Sequence, residues 1–179
     1  MDKIFELFGK YGSYDYIGEN VSQLEHALQS AYLARQKHYR SPFIVACLLH
    51  DIGHLIGLKE NAENMGDVGI KDHEKLGADF LRSLGIIEPV CELVESHVQA
   101  KRYILTTQPQ YYDRLSNASK ETFKYQGGKM SDQEVNNFKQ DILLPGKLAL
   151  RLIDDQAKVR GLEVPNLESY IDDIEYCFK

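Results

Sequence analysis

Apolar residues in this chain recur three and four positions apart almost throughout, the period of amphipathic helices, and strand-like alternation is scarce. A capping box, Ser22-Gln-Leu-Glu25, opens a helix to about Lys37 with Leu24, Ala27, Leu28 and Ala31 on one face. Ser41-Pro42 reads as an N-cap with proline at the first helical position. The run that follows, FIVACLLHDIG, is apolar nearly all round, which marks a central helix. Gly53 and Gly57 predict that the chain then loosens into a polar loop through Gly69. A third helix is expected from about Ile70 to Leu84, stopped by Gly85, with His73, Gly77, Phe80 and Leu84 sharing a face. A fourth starts near Pro89 and carries Val90, Leu93, Val94, His97, Val98 and Lys101 at helical spacing. Further helices are expected around Asn117–Tyr125, after the capping box Ser131-Asp-Gln-Glu134, and after Pro145-Gly146, the last with Arg151 and Asp154 one turn apart. The closing segment, roughly Leu167–Phe178, is expected to pack outside. With no repeat, low-complexity tract or linker, the pattern predicts a single all-α domain over residues 1–179.

Composition narrows the function without naming it. The chain has 179 residues, 43% hydrophobic and 27% charged, the balance of an ordinary globular domain with a real core. Its net charge of -6 and lack of any Lys/Arg run leave no basic footprint for nucleic acid. An anionic ligand would need local cations working against the overall field. No segment reads as a membrane span, and the opening MDKIFELFGK carries acids where a signal peptide would be basic. Cys47, Cys91 and Cys177 are odd in number and far apart, as buried or incidental thiols in a reducing cytosol would be, so the expected location is cytoplasmic.

The candidate chemistry lies in His26, His50, Asp51, His73, His97 and Asp154, which include four of the chain's six histidines. Each histidine falls on or beside an apolar stripe, where imidazole is costly unless something pairs with it. The separations suit one ligand, or the adjacent His50-Asp51 pair, per successive helix, unlike the crowded ligands of a zinc knuckle. Imidazole and carboxylate suit borderline metals such as iron, manganese or zinc. Six ligands exceed what one four-coordinate ion uses, so the pattern predicts two metals with Asp51 as the bridge. Two histidines and a carboxylate also form the facial triad of non-haem iron oxygenases, yet two-metal hydrolases can use similar sets. The ligands alone leave the reaction open. His38, in the polar run Gln36–Arg40, reads as solvent-exposed.

The order His26, His50-Asp51, Asp154 resembles the H…HD…D pattern of the HD-domain superfamily, most of whose members are metal-dependent phosphohydrolases. His73 and His97, Tyr16 and Glu19 in Tyr14-Asp-Tyr16-Ile-Gly-Glu19, His54 in HDIGH, Lys101 in HVQAKRY, and Ser119 and Thr122 in SKET extend the likeness. With Arg151, they resemble the mixed-valent di-iron branch, in particular the 2-amino-1-hydroxyethylphosphonate dioxygenases, from about Tyr16 to Lys158. That resemblance implies a helical bundle around two iron ions (Fe2+/Fe3+), which use O2 to cleave the C–P bond of a small organophosphonate. The products would be phosphate and glycine, or glycine betaine from a trimethylammonio substrate. It also implies roles for the other residues. Tyr16 would hold the open iron position until substrate displaces it, with Glu19 as its partner and His54 lining the same cavity. Lys101, Ser119, Thr122 and Arg151 would bind the phosphonate, and a helix starting near Ser119 would add backbone N–H groups.

Three competing readings remain. A phosphohydrolase acting on a nucleotide or phosphate ester shares the first metal site, but has no use for Tyr16 over a second iron. The inositol-cleaving oxygenases share the six ligands but take an uncharged polyol, against the Lys101/Ser119/Thr122/Arg151 cluster. A metal-stabilised interaction module gives no purpose to Lys and Arg inside apolar stripes. The amine end of the substrate and the roles of Leu55–Gly69 and Lys129–Leu144 are not legible in the sequence.

Overall fold

A computed structural model describes residues 1–16, 18–63, 65 and 69–179; the expected loop Leu55–Gly69 therefore lies partly outside the described residues. Ten α-helices are described: α1 (Asp2–Tyr11), α2 (Gln23–Gln36), α3 (Ser41–Leu49), α4 (Ile52–Glu60), α5 (His73–Ser83), α6 (Glu88–Thr107), α7 (Asn117–Tyr125), α8 (Asp132–Lys139), α9 (Leu144–Gln156) and α10 (Ile171–Tyr176). Short 3₁₀ turns, Pro109–Arg114 and Leu167–Tyr170, precede α7 and α10. Among the described residues there is no β-strand, only isolated bridges Asp15–Ser22 and Ile86–Phe178. The all-α reading holds.

Helix α3 is the axis of the bundle. Every residue from Phe43 to Leu49 is buried, and α2, α6, α9 and α10 pack around it. Its apolar run continues through α4, so that Ser41–Glu60 is long and apolar enough to cross a membrane by length and composition, although the sequence shows no segment that reads as a span. Most of that stretch is buried in the core, and it is interrupted at His50-Asp51, between two helices. Both capping boxes form: Glu25 and Ser22 exchange bonds of 3.2 and 2.6 Å at the start of α2, and Ser131 with Glu134 repeats the motif at α8.

Three expectations need correction, and one helix is added to them. Ser41 is the first helical residue of α3, and Arg40 is the N-cap. The stretch after Gly53 is helical to Glu60, because Leu55 and Ile56 are buried on α1 and the core. Its glycines are packing residues. A Cβ on Gly53 would lie 1.8 Å from the His73 carbonyl oxygen, and one on Gly57 would meet the Ile70 side chain at 2.6 Å. The C-terminal segment packs inside, with Leu167, Tyr170, Ile174 and Cys177 buried against α3 and its neighbours. Helix α1 was not anticipated, although Ile4, Leu7 and Phe8 bury one face at the usual i, i+3, i+4 spacing. The Lys129–Leu144 segment contains α8, whose Phe138 joins Met130 and Ala100 in a small satellite core. Cys47, Cys91 and Cys177 are buried free thiols.

Candidate metal centre and anion pocket

The bundle carries the four histidines inward from α2 (His26), the end of α3 (His50), the start of α5 (His73) and α6 (His97), each no more than 4% exposed. Asp51 sits at the α3–α4 break with φ -104° and ψ 10°, which turns its carboxylate into the space between them. Asp154 arrives from the last turn of α9.

Each imidazole gives its Nδ1 to a backbone carbonyl: His26 to Ala157 at 2.8 Å, His50 to Cys47 at 2.8 Å, His73 to Ile70 at 3.2 Å and His97 to Val94 at 2.7 Å. A carbonyl only accepts, so the proton of each neutral ring is on Nδ1 and the Nε2 lone pair faces inward. The inward nitrogens form two pairs, His26/His50 at 3.1 Å and His73/His97 at 3.0 Å. Two bare lone pairs at that distance repel unless a cation or proton lies between them. Asp51 faces both pairs: Oδ2 is 3.5 and 3.1 Å from His26 and His50, and Oδ1 is 3.3 and 3.4 Å from His73 and His97. Asp154 Oδ1 lies 3.5 Å from His26 Nε2 and is buried without a hydrogen-bond partner. An orphaned carboxylate oxygen beside paired imidazole lone pairs is the donor set a divalent metal fills. The arrangement fits one ion on His26, His50 and Asp154, and a second on His73 and His97, with Asp51 between them.

By distance alone His54 could join Asp51 and His73 around one ion. Its Nδ1, however, accepts the Ile70 backbone N–H at 3.2 Å, which leaves its proton on Nε2, and its ring stacks on His73 at 3.9 Å. Burial and the neighbouring imidazoles hold its pKa well below the usual histidine range. His54 is a neutral donor beside the centre. The remaining charges are tightly balanced. Burial would lower the His50 pKa, but the Asp51 carboxylate raises it to about 9. Burial likewise works against ionised Asp51 and Asp154, yet His50 for the first and Arg151 for the second hold both well below the carboxylate range. Tyr16 donates to Asp51 Oδ2 at 2.7 Å and stacks on His26 at 3.9 Å; burial and Asp51 push its phenol well above 10.0.

A cleft opens above the centre, lined by Tyr16, Glu19, His54, Lys101, Ser119, Thr122 and Arg151. Every site candidate from the sequence thus lines this cleft or lies in the His/Asp cluster beneath it. Two readings of their surroundings change. Ser119 does not begin a helix: Ser116 is the N-cap of α7, and the Ser119 N–H is taken by Ser116 Oγ at 3.1 Å. Arg151 is engaged with Asp154 and Asp155. Lys101 bonds only neutral oxygens, Thr122 Oγ1 at 2.6 Å and Gln126 Oε1 at 3.0 Å, and has no carboxylate partner among the described residues. Two polar lining residues, Gln126 and Lys158, were missed by sequence reasoning. Gln126 lies one turn beyond Thr122 on the α7 face, a spacing that could have found it. Lys158 follows α9 in irregular chain, where no periodic pattern points to it, and donates to Glu19 Oε1 and Ser119 Oγ, both at 3.1 Å.

The HD domain family profile matches residues 23–135, well over half of the chain. The chain belongs to the HD-domain family. Among curated proteins the chain is 39% identical over 176 residues to a hydroxymethylphosphonate dioxygenase from Gimesia maris, covering 98% of this chain and 87% of that protein. It is 37% identical over 160 residues to a glycine-betaine-forming [1-hydroxy-2-(trimethylamino)ethyl]phosphonate dioxygenase from Leisingera caerulea, covering 89% and 81%. It is also 38% identical over 170 residues to an uncharacterised protein of Acanthamoeba polyphaga mimivirus, covering 95% and 78%. The HD domain thus falls in the branch of the family that holds the two dioxygenases.

Proposed function

We propose that this HD domain binds two iron ions and uses O2 to cleave the C–P bond of a small 1-hydroxyphosphonate, releasing phosphate and a carboxylate. Kinship with two dioxygenases at 37–39% identity makes the enzyme an oxygenase. The observation that carries the fuller reading is the juxtaposition of two imidazole pairs, each facing one oxygen of Asp51, with a pocket lined by Lys101, Arg151 and Ser119. The substrates named for the two relatives share a hydroxyl and a phosphonate on one carbon. They differ in the group beside it, hydrogen in one and trimethylaminomethyl in the other. The likeness to 2-amino-1-hydroxyethylphosphonate enzymes adds an aminomethyl group, with glycine in place of glycine betaine as product.

The balance needs no other oxidant. A C–H and the C–P bond break, one oxygen of O2 ends on the carboxylate and the other on phosphate, and a proton is released. Bound iron would supply the activation of O2 and the one-electron steps that Mg²⁺ or Zn²⁺ cannot. The chain's residues bind and orient. Lys101, Arg151 and the Ser119 hydroxyl offer the phosphonate donors in a desolvated pocket, where charge-assisted bonds are strongest. Tyr16 covers the Asp51 oxygen next to His26 and must yield when substrate arrives, and Glu19 lies beside it. His54 presents an N–H to substrate oxygens. Anaerobic protein loaded with ferrous iron should release phosphate from a hydroxyphosphonate only when O2 is admitted, one O2 per phosphate. Anaerobic hydrolysis of nucleotides or phosphate esters with Mg²⁺ or Mn²⁺ would instead support the phosphohydrolase reading.

Lys101 ties capture to pH. Burial and the Arg151 guanidinium lower its pKa to about 7, against the opposing pull of Asp154 and Asp155. The ammonium form is present below that value and lost as pH rises through it, so anion capture should weaken on the alkaline side. The expected kcat/KM profile falls above pH of about 7, and Lys101→Arg, which stays charged, flattens that limb. An identical alkaline limb in both proteins would remove Lys101 from the pocket's work.

A further inference from the structure

We propose that Lys158 determines specificity by excluding a cationic substituent, so that the preferred substrate carries hydrogen or a small uncharged group on the hydroxyl-bearing carbon. The inference rests on the reading of the enzyme as a phosphonate oxygenase and deepens it.

Lys158 is held from both sides by the main chain. The Ala157 carbonyl accepts from His26 Nδ1 at 2.8 Å. The Val159 N–H donates to Gln29 Oε1 at 2.9 Å, and Gln29 Nε2 returns a bond to the Val159 carbonyl at 2.8 Å. Gln29 is 1% exposed, and no other function for its buried amide is evident. With both neighbours pinned, the Lys158 stem starts from a fixed place and its ammonium reaches the pocket already oriented. There it sits 3.1 Å from Glu19 and 3.1 Å from Ser119, and 5.6 Å over the Tyr16 ring.

A substrate cation would need a carboxylate or an open aromatic face. Among the described lining residues, Glu19 is the one carboxylate outside the metal cluster, and Lys158 already neutralises it. Tyr16 is the one aromatic lining residue besides the imidazoles. Its faces are engaged by His26, stacked at 3.9 Å, and by the Lys158 ammonium. In a 1-hydroxy-2-aminoethylphosphonate the nitrogen is only three bonds from phosphorus. With the phosphonate on Ser119 and Lys101, that nitrogen falls near the Glu19–Lys158–Ser119 bridge, where a second ammonium meets like charge. A hydrogen in that place meets nothing. The sequence likeness favoured the amino and trimethylammonio substrates; the pocket favours the smallest member of the class.

Steady-state phosphate release from hydroxymethylphosphonate and from [1-hydroxy-2-(trimethylamino)ethyl]phosphonate, with iron and O2, tests this. The expected result is a preference in kcat/KM of at least about tenfold for hydroxymethylphosphonate. In Lys158→Met the ratio should narrow at least about tenfold, mainly through KM for the cationic substrate, and Lys158→Arg should restore it. Iron content and Tm should match the wild type. Lys158→Gln, which keeps polar contacts without the charge, reads the same ratio should the methionine variant not fold. Equal or better use of the cationic substrate by the wild type overturns the inference while leaving the C–P cleaving reaction standing. So does a ratio unmoved by loss of the lysine charge. No phosphate from either substrate overturns the reaction itself and this inference with it.

Discussion

Asp51→Asn is expected to strip the protein of both metals and abolish phosphate release. The substitution is isosteric, so packing at the α3–α4 break is kept and only charge and one acceptor oxygen are lost. Among the described residues that carboxylate is the single group within 3.5 Å of all four inward imidazole nitrogens, one oxygen toward each pair. It also accepts the Tyr16 hydroxyl at 2.7 Å. An asparagine must turn an NH₂ toward one imidazole pair, placing a donor where a cation belongs. Loss of a partner that merely orients a ligand costs about 10–100-fold in metal affinity. Loss of a shared ligand should cost at least about a hundredfold at both positions, with activity falling to background. Metal analysis after anaerobic iron loading, beside phosphate release, reads both quantities. Wild-type metal content in Asp51→Asn would remove Asp51 from its bridging place.

The second large effect is at Gly53, which touches no ligand side chain. An alanine Cβ there would lie 1.8 Å from the His73 carbonyl oxygen and 3.0 Å from the Gly77 nitrogen, so the start of α5 must move away from α4. Backbone cannot yield as a flexible side chain would. Overpacking of a dense core costs about 1–3 kcal/mol, and the upper end is expected here. For a domain of this size that is a fall in Tm of about 6–12 °C, at about 2–4 °C per kcal/mol. His73 is the first residue of α5, so the shift also withdraws one imidazole from its pair, and metal content should fall with stability. Gly9→Ala is the control. It has open space around the added methyl and sits within α1, where alanine is the better helix former by about 1 kcal/mol. Matching thermal melts for the two variants would mean that the α4–α5 contact is not tight.

The inward-facing histidines were legible because each imidazole interrupts an apolar helical face, and a buried polar ring needs a reason to be there. Gly53 and Gly57 were misread for the opposite cause. A glycine that allows two helices to touch looks, in one dimension, like a glycine that ends one. The inward packing of Leu167–Cys177 was missed because a short, acid-bearing helix shows its buried side only once α3 is known to need a cover. Lys158 had no signal at all. Its position is set by the amide of Gln29, 130 residues away from Val159, and by no pattern around itself. The cleft-lining residues Lys101, Ser119, Thr122 and Arg151 on α6, α7 and α9 were found through family resemblance, and their spacing explains why they can share a cleft.

The hydrogen bonds that set the four ring tautomers divide the centre into two unequal halves. His50, His73 and His97 each lean on a carbonyl three residues earlier, a partner their own segment supplies. His26 leans on Ala157, 131 residues along the chain. In terms of chain entropy, the first three close almost no loop, whereas the fourth closes a span of 131 of the 179 residues. The half of the centre served by His73 and His97 belongs to neighbouring helices, α5 and α6. The half served by His26 and Asp154 is a long-range construction, complete only when α2 and the end of α9 have met.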